Sequence, residues 1–444
     1  MARFSASMIN KNTKPFLTLK RGFAATAQKA SASTSGFSTA TTSNGIKVLS
    51  SEALGSPASS QLASISVVLN NGSRFETPDS VGGAHFLKAF AFRNSEKSTG
   101  FRKVREAELQ GAMVQSWLTR EDVVYSIKCF KQDVPYFFER LAEASSNPLF
   151  NHWEFNEVSN LVKLESAFAS SDPSTVVREK LFKAAYRAGL GNSIYASSSS
   201  PISSSSDVQS FFNARFSSDA IAVVGTGVSS AELLELVQKS PLANVKTVSL
   251  PSAPKSVFYS GSEIHTDSSS ELSHYTLAYE VPDSGTGALL SHFLGTNPNV
   301  KWGSGLSPLG LLSVQHGFSA HAFSDSFSDS SIVGVHIVSE GSKLKSAVKL
   351  VSDTIKSFSS PNAITEDAFG RAIANASMTS ACASESQGGI LNSLVSSAFG
   401  APTTSDFSSA SASSLSTAAA SVFSKKPAAA SLGNSLQVPY LDSL

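Results

Sequence analysis

Stretches of period two and period three-to-four alternate along this chain. Residues 62–69 set Ala63, Ile65, Val67 and Leu69 against Leu62, Ser64, Ser66 and Val68, which predicts a strand with one apolar face, and Gly45–Leu49 predicts another. Asn70-Asn71-Gly72-Ser73 reads as a turn. Thr77-Pro78-Asp79-Ser80 then opens an apolar helix over Ala84–Phe92, with Asp79 or Ser80 as its N-cap. Glu106–Gly111 reads as helix, Met113–Trp117 and Val123–Phe130 as paired strands, and Val134–Ser145 as an amphipathic helix closed by Asn147-Pro148. Helix dominates Trp153–Tyr186. Ser197–Ser206, all serine apart from Pro201 and Ile202, reads as a solvated loop. Ala220–Val224 is a strand, Gly225-Thr226-Gly227 a turn and Ala231–Lys239 a helix.

The second half repeats this order. The Asp79–Leu87 stretch is answered by Asp283-Ser284-Gly285-Thr286-Gly287, Ala288–Ser291 and His292-Phe293-Leu294, each following a strand (Ile65–Leu69; Tyr275–Val281). Phe318–Phe323, Ser331–Ser339 and Leu344–Phe358 match the later strand pair and its helix. The expected architecture is α+β: two tandem homologous domains, each an antiparallel or mixed sheet packed with helices, over 41–240 and 258–444. The proline-rich stretch 241–257 is the linker between them.

Residues 1–40 form a tail. Arg3, Lys11, Lys14, Lys20, Arg21 and Lys29 carry its charge, and no acidic residue precedes Glu52. Phe4, Ile9, Phe16, Leu17 and Leu19 add an apolar side to a short helix. This is the composition of a mitochondrial transit peptide, with cleavage expected near 23/24, after Arg21-Gly22-Phe23. Over the whole chain the charges nearly cancel: a net charge of +1 argues against nucleic acid as a partner. No apolar run is long enough for a spanning helix, so membrane association is expected to be peripheral. Cys129 and Cys382 stand alone, without a Cys-x-x-Cys-His or a cluster-binding set, so no haem, iron–sulfur centre or other cofactor is expected.

A helix bearing His-x-x-Glu-His holds zinc between two imidazoles one turn apart, with the glutamate as general base. Here the helix reads His85-Phe86-Leu87-Lys88-Ala89. Gly82-Gly83-Ala84-His85-Phe86-Leu87 followed by Phe90-Ala91-Phe92 resembles the zinc-site helix of the pitrilysin family, which contains the mitochondrial processing peptidase subunits and the core subunits of ubiquinol–cytochrome c reductase. The resemblance implies a pitrilysin-type peptidase fold and relic zinc-site positions at His85, Lys88, Ala89 and Glu165. His85 stands for the first ligand, Lys88 replaces the base, Ala89 replaces the second ligand, and Glu165 matches the third. One imidazole and one carboxylate beside an ammonium do not hold catalytic zinc, so the chain is expected to bind no metal and to be no enzyme.

Phe293–Gly305 has only scattered glycines, unlike the long glycine-rich loop of the family's presequence-gripping subunits. It and the segments His316–Ser324 and Phe327–Ser330 are more similar to the non-catalytic core subunits of complex III. The resemblance then implies a peripheral subunit on the matrix side of the mitochondrial inner membrane, supporting the complex without carrying electrons. Its expected partners are a sister core subunit, in a heterodimer within a dimeric complex, and cytochrome b, cytochrome c1 and the Rieske protein. The alternative is a non-catalytic, presequence-binding subunit of a processing peptidase.

Three weaker features read as structural. Gly225-Thr226-Gly227 has Ser230 where a dinucleotide loop would have its third glycine. His316 and His321 are spaced for a loop and the strand after it. Arg102, Lys103, Arg105, Glu106 and Glu108 read as a solvated mixed-charge cluster.

Overall fold

The computed structural model describes residues 37–51, 61–248, 250, 253, 255–297, 305–360, 363–400, 407, 410–434 and 436–444. The expected transit-peptide helix and its cleavage site lie outside these residues.

The first sheet contains β1 (Phe37–Thr41), β2 (Lys47–Ser51), β3 (Leu62–Leu69), β4 (Met113–Leu118), β5 (Val123–Phe130) and β6 (Ile221–Thr226) in the order β1-β2-β6-β3-β5-β4. Only the β2–β6 pairing is parallel, which makes the sheet mixed. Strand β1 starts inside the stretch assigned to the tail. Phe37-Ser38-Thr39-Ala40-Thr41 shares the Ser/Thr/Ala-rich composition of that tail, and its pairing along β2 draws it into the sheet.

The second sheet orders β7 (Glu263–Asp267), β8 (Leu272–Val281), β9 (Ser319–Ser326), β10 (Ser331–Glu340) and β11 (Ala428–Gly433) as β7-β11-β8-β10-β9, with β7–β11 its one parallel pair. Thirteen α-helices accompany the sheets among the described residues: α1 (Gly83–Ala89), α2 (Gly100–Gln110), α3 (Val134–Ser146), α4 (His152–Ser171), α5 (Pro173–Tyr186), α6 (Ser205–Arg215), α7 (Ser230–Lys239), α8 (Ser284–Leu294), α9 (Pro308–His316), α10 (Gly341–Ser357), α11 (Glu366–Glu385), α12 (Gln387–Ala398) and α13 (Ala412–Phe423). The fold is α+β.

Each sheet has one face covered by helices of its own half and the other by a helix lent from the opposite half. Ala63, Ile65 and Val67 of β3 pack with Leu87 of α1, Phe138 of α3 and Leu233 of α7. The opposite face presents Val68, Val124, Ala222 and Val224 to Ile390, Leu391, Leu394 and Val395 of α12. In the second sheet Tyr275, Leu277, Val333 and Val335 meet α8, α10, α11 and α13. Ala278, Ile332, Ala428 and Ala430 on its other side meet Val177, Leu181, Phe182 and Ala185 of α5. Burying both faces corrects the half-solvated reading of β3: Ser64 and Ser66 lie on the face that α12 covers and are buried, and the Ser66 hydroxyl donates to Ser126 Oγ at 2.8 Å.

Ion pairs also join the halves. Arg74 is 2.6 Å from Glu121 and 2.5 Å from Asp329, and Arg178 on α5 is 2.5 Å from Asp325 on β9. Arg120 pairs with Glu179 at 2.5 Å and stacks on the Phe182 ring at 3.9 Å.

Two local expectations change. The N-cap of α1 is Gly82, at φ +91°, while Pro78–Ser80 forms a separate 3₁₀ turn closed by Thr77 and Ser80. In α2, Arg102–Glu106 and Arg105–Glu108 pairs do face solvent, but Lys103 is buried and donates to the Arg93 carbonyl at 2.8 Å and Ser95 Oγ at 2.5 Å. Burial lowers its pKa to about 8.

Candidate functional site: a relic zinc helix closed by lysine

Helix α1 is short, apolar and clamped at both ends. At its start the half-buried Glu76 carboxylate accepts the Gly82 N–H at 2.9 Å and the Ala84 N–H at 3.0 Å, satisfying backbone donors that a helix start leaves open. Burial raises the Glu76 pKa to about 7 against the pull of those two N–H groups. Near its end the Leu87 and Lys88 carbonyls accept from Tyr125 Oη at 3.1 Å and Ser116 Oγ at 3.3 Å. Phe86 stacks on Phe155 of α4, with centroids 5.5 Å apart and planes 8° from parallel. Helices α1 and α4 are thereby held face to face.

Three of the four relic positions meet at that junction. His85 Nε2 is 2.6 Å from Glu165 Oε2, and Lys88 Nζ donates to Glu165 Oε1 at 2.6 Å. His85 Nδ1 accepts the Ala196 N–H at 3.1 Å. That pattern assigns the neutral tautomer with the proton on Nε2, donated to Glu165. Burial lowers the His85 pKa and outweighs the pull of Glu165 in the other direction, which keeps the ring neutral. Burial works against ionising Glu165, but hydrogen bonds from Lys88 and His85 and the Lys88 charge outweigh it, and the carboxyl titrates below its ordinary range. Ala89, the fourth position, is buried in the first core and offers only a methyl group.

The resemblance implies zinc here, and these side chains do not fit it. A zinc-binding imidazole presents a lone pair to the metal; here one ring nitrogen accepts a backbone N–H and the other carries the proton given to Glu165. Both Glu165 oxygens are engaged, one with an ammonium that repels a divalent cation. Among the described residues no three His, Cys, Asp or Glu side chains gather in a metal-holding group. The lysine supplies the positive charge that keeps Glu165 ionised between the two helices.

The serine tract contributes more than a solvated loop would. Ser200 Oγ donates to the Val81 carbonyl at 2.5 Å, Ile202 is buried, and the Tyr195 ring meets His85 edge-on with centroids 5.8 Å apart. A Cβ on Gly82 would stand 2.8 Å from both Ala196 Cβ and Ser200 Oγ, and one on Gly83 would stand 2.9 Å from the Phe211 ring. The Gly82-Gly83 pair is the sequence signal for this close approach. The remaining motifs are structural. Gly227 (φ +76°) turns the chain tightly between β6 and α7, and His316 ends α9 while His321 lies in β9.

Sequence comparison agrees with this architecture. The model of the insulinase family (peptidase family M16) matches residues 53–198, and that of the peptidase M16 inactive domain matches 204–376. The chain belongs to peptidase family M16. It is similar to the mitochondrial cytochrome b-c1 complex subunit 2 of Cryptococcus neoformans, at 33% identity over 91% of this chain and 94% of that one. Similarity to the human protein of the same name is 27% over 68% of each chain. The alpha subunit of the mitochondrial-processing peptidase of Solanum tuberosum matches at 32%, over 54% of this chain and 47% of its own.

Proposed function

We propose that the chain is a non-catalytic core subunit of mitochondrial complex III, ubiquinol–cytochrome c reductase, in the role of core protein 2. The observation that carries this reading is the near full-length similarity to the fungal cytochrome b-c1 complex subunit 2. The Lys88–Glu165 pair supports the non-catalytic part, because it occupies the place where a peptidase needs a base and a metal. In this reading the chain sits peripherally on the matrix side of the inner membrane, consistent with the finding that no helix of the described residues is long and apolar enough to cross a membrane. It pairs with core protein 1 in a heterodimer within the dimeric complex and supports cytochrome b, cytochrome c1 and the Rieske protein, binding no zinc and carrying no electrons.

Blue native electrophoresis of mitochondria tests this. The chain migrates with complex III, and its deletion depletes the assembled complex; normal complex III without it overturns the proposal. Metal analysis of the purified chain gives no stoichiometric zinc. The double variant Lys88→Glu/Ala89→His restores the missing base and ligand beside Glu165 and gains zinc.

A second reading, a presequence-binding role, is favoured by the partial likeness to processing-peptidase alpha subunits and by the exposed Leu161, Leu164 and Phe168, which share the Glu165 side of α4. Presequence cleavage by a purified partner that depends on this chain supports it.

A further inference from the structure

We propose that His274, His336 and His321, gathered where α5 of the first half meets the second sheet, form an acid-sensitive latch whose protonation loosens the grip of that helix on the sheet. The three residues lie on neighbouring strands and on the α5 side. His336 pairs with His321 across β10–β9, and His274 shares its face of β8 with Ala278, which packs on α5. His274 Nδ1 and His336 Nε2 are 3.2 Å apart with rings stacked at 5.3 Å, and His321 meets His336 edge-on at 5.1 Å. His274 and His336 are buried, and among the described residues the buried Nδ1 of His321 has no hydrogen-bond partner. One proton shared between His274 and His336 satisfies both; a second or third places cations in contact.

The charged groups facing the cluster are Asp172 and Arg178 from α5 and Asp325 from β9, while β11 brings no titratable side chain. Asp172 attracts the first proton, but its carboxylate already accepts the Ser174 and Thr175 N–H groups at the start of α5, whose positive end opposes further charge. Arg178 adds to the repulsion, and its partner Asp325 is committed to it. All three imidazoles titrate below their ordinary value of 6.5, chiefly because burial disfavours the cation, with His336 lowered to about 4. An imidazole shifted this way favours the folded contact at neutral pH, and that advantage is lost as pH falls from 6.5 toward 4. His336 alone shifts the opening equilibrium about thirtyfold between pH 7.5 and pH 5.

Backbone hydrogen exchange of the full chain, corrected for intrinsic rates, tests the latch. Between pH 7.5 and pH 5, protection of α5 amides and of β8–β10 falls at least about tenfold, while β3 and β5 of the first sheet keep theirs. His336→Gln and His321→Gln each reduce that fall. Equal protection of α5 at both pH values overturns the proposal, as does a fall unchanged in both variants. Should the His336 variant not fold, exchange at the imidazole C2 positions of the unaltered chain gives the titration directly, and midpoints of His274 and His336 at or above 6.5 overturn it.

Discussion

Helix α1 meets α4 through an ion pair, whereas its counterpart in the second half, α8, meets α11 beside a cavity. In the first half Glu165 holds both His85 and Lys88, and the junction is closed by charge. In the second, the one hydrogen-bond partner of His292 among the described residues is the Thr296 hydroxyl at 3.4 Å, α11 turns Phe369, Ala372 and Ala376 toward α8, and a space of about 780 Å³ opens between His292, Phe293, Phe358, Ala368 and Met378. Burial alone lowers the His292 pKa. The same helix arrangement therefore persists with and without polar chemistry between its members. What maintains the first junction is a cation of the protein's own, carried at the position where the family resemblance implies the general base.

The contrast is sharpest in the aromatic contacts. Phe86→Ala removes a ring stacked in a filled junction and costs about 3–5 kcal/mol in urea unfolding, whereas Phe293→Ala, which opens onto existing space and loses its edge-on contact with Phe358, costs about 3. Equal losses would show that the cavity is filled in solution. Glu165→Ala leaves the Lys88 ammonium and the His85 N–H without their acceptor and costs about 1–3 kcal/mol, the partial exposure of the pair holding it below the range for fully buried ions.

Lys88→Met costs about 1 kcal/mol at neutral pH and changes the pH dependence. Because the Glu165 pKa is lowered on folding, its contribution is complete above the ordinary carboxyl value of 4.5 and is lost as pH falls below it. Unfolding at pH 6 and pH 4 therefore shows a smaller drop in the Lys88→Met variant than in the parent. Thr296→Val, at the weakly bonded second junction, changes stability by no more than about 0.5 kcal/mol.

Much of this arrangement is legible along the chain. The strand 62–69 is read to the residue because Ala63, Ile65, Val67 and Leu69 hold a period of two, and the meeting of His85 with Glu165 is what the resemblance to the zinc-site helix implies, although Lys88 and Ala89 replace the other two positions. What could not be read depends on contacts between distant positions. The Ala196 N–H that fixes the His85 tautomer comes from a loop 111 residues away, and a backbone donor carries no signature in its side chain. Ser64 and Ser66 look solvated because the helix that buries them belongs to the other half. Lys103 looks solvated because its neighbours on α2 are, while its own ammonium turns inward to the Arg93 carbonyl.

The exchange of covering helices has an unequal effect on a chain delivered N-terminus first. The second sheet finds its cover, α5, already made. The first sheet does not: Val68, Val124, Ala222 and Val224 are in place once β6 ends at Thr226, yet α12 begins only at Gln387. At ordinary elongation rates that interval lasts on the order of ten to thirty seconds. Throughout it the apolar sheet face of the first half stands without the helix that buries it in the finished fold.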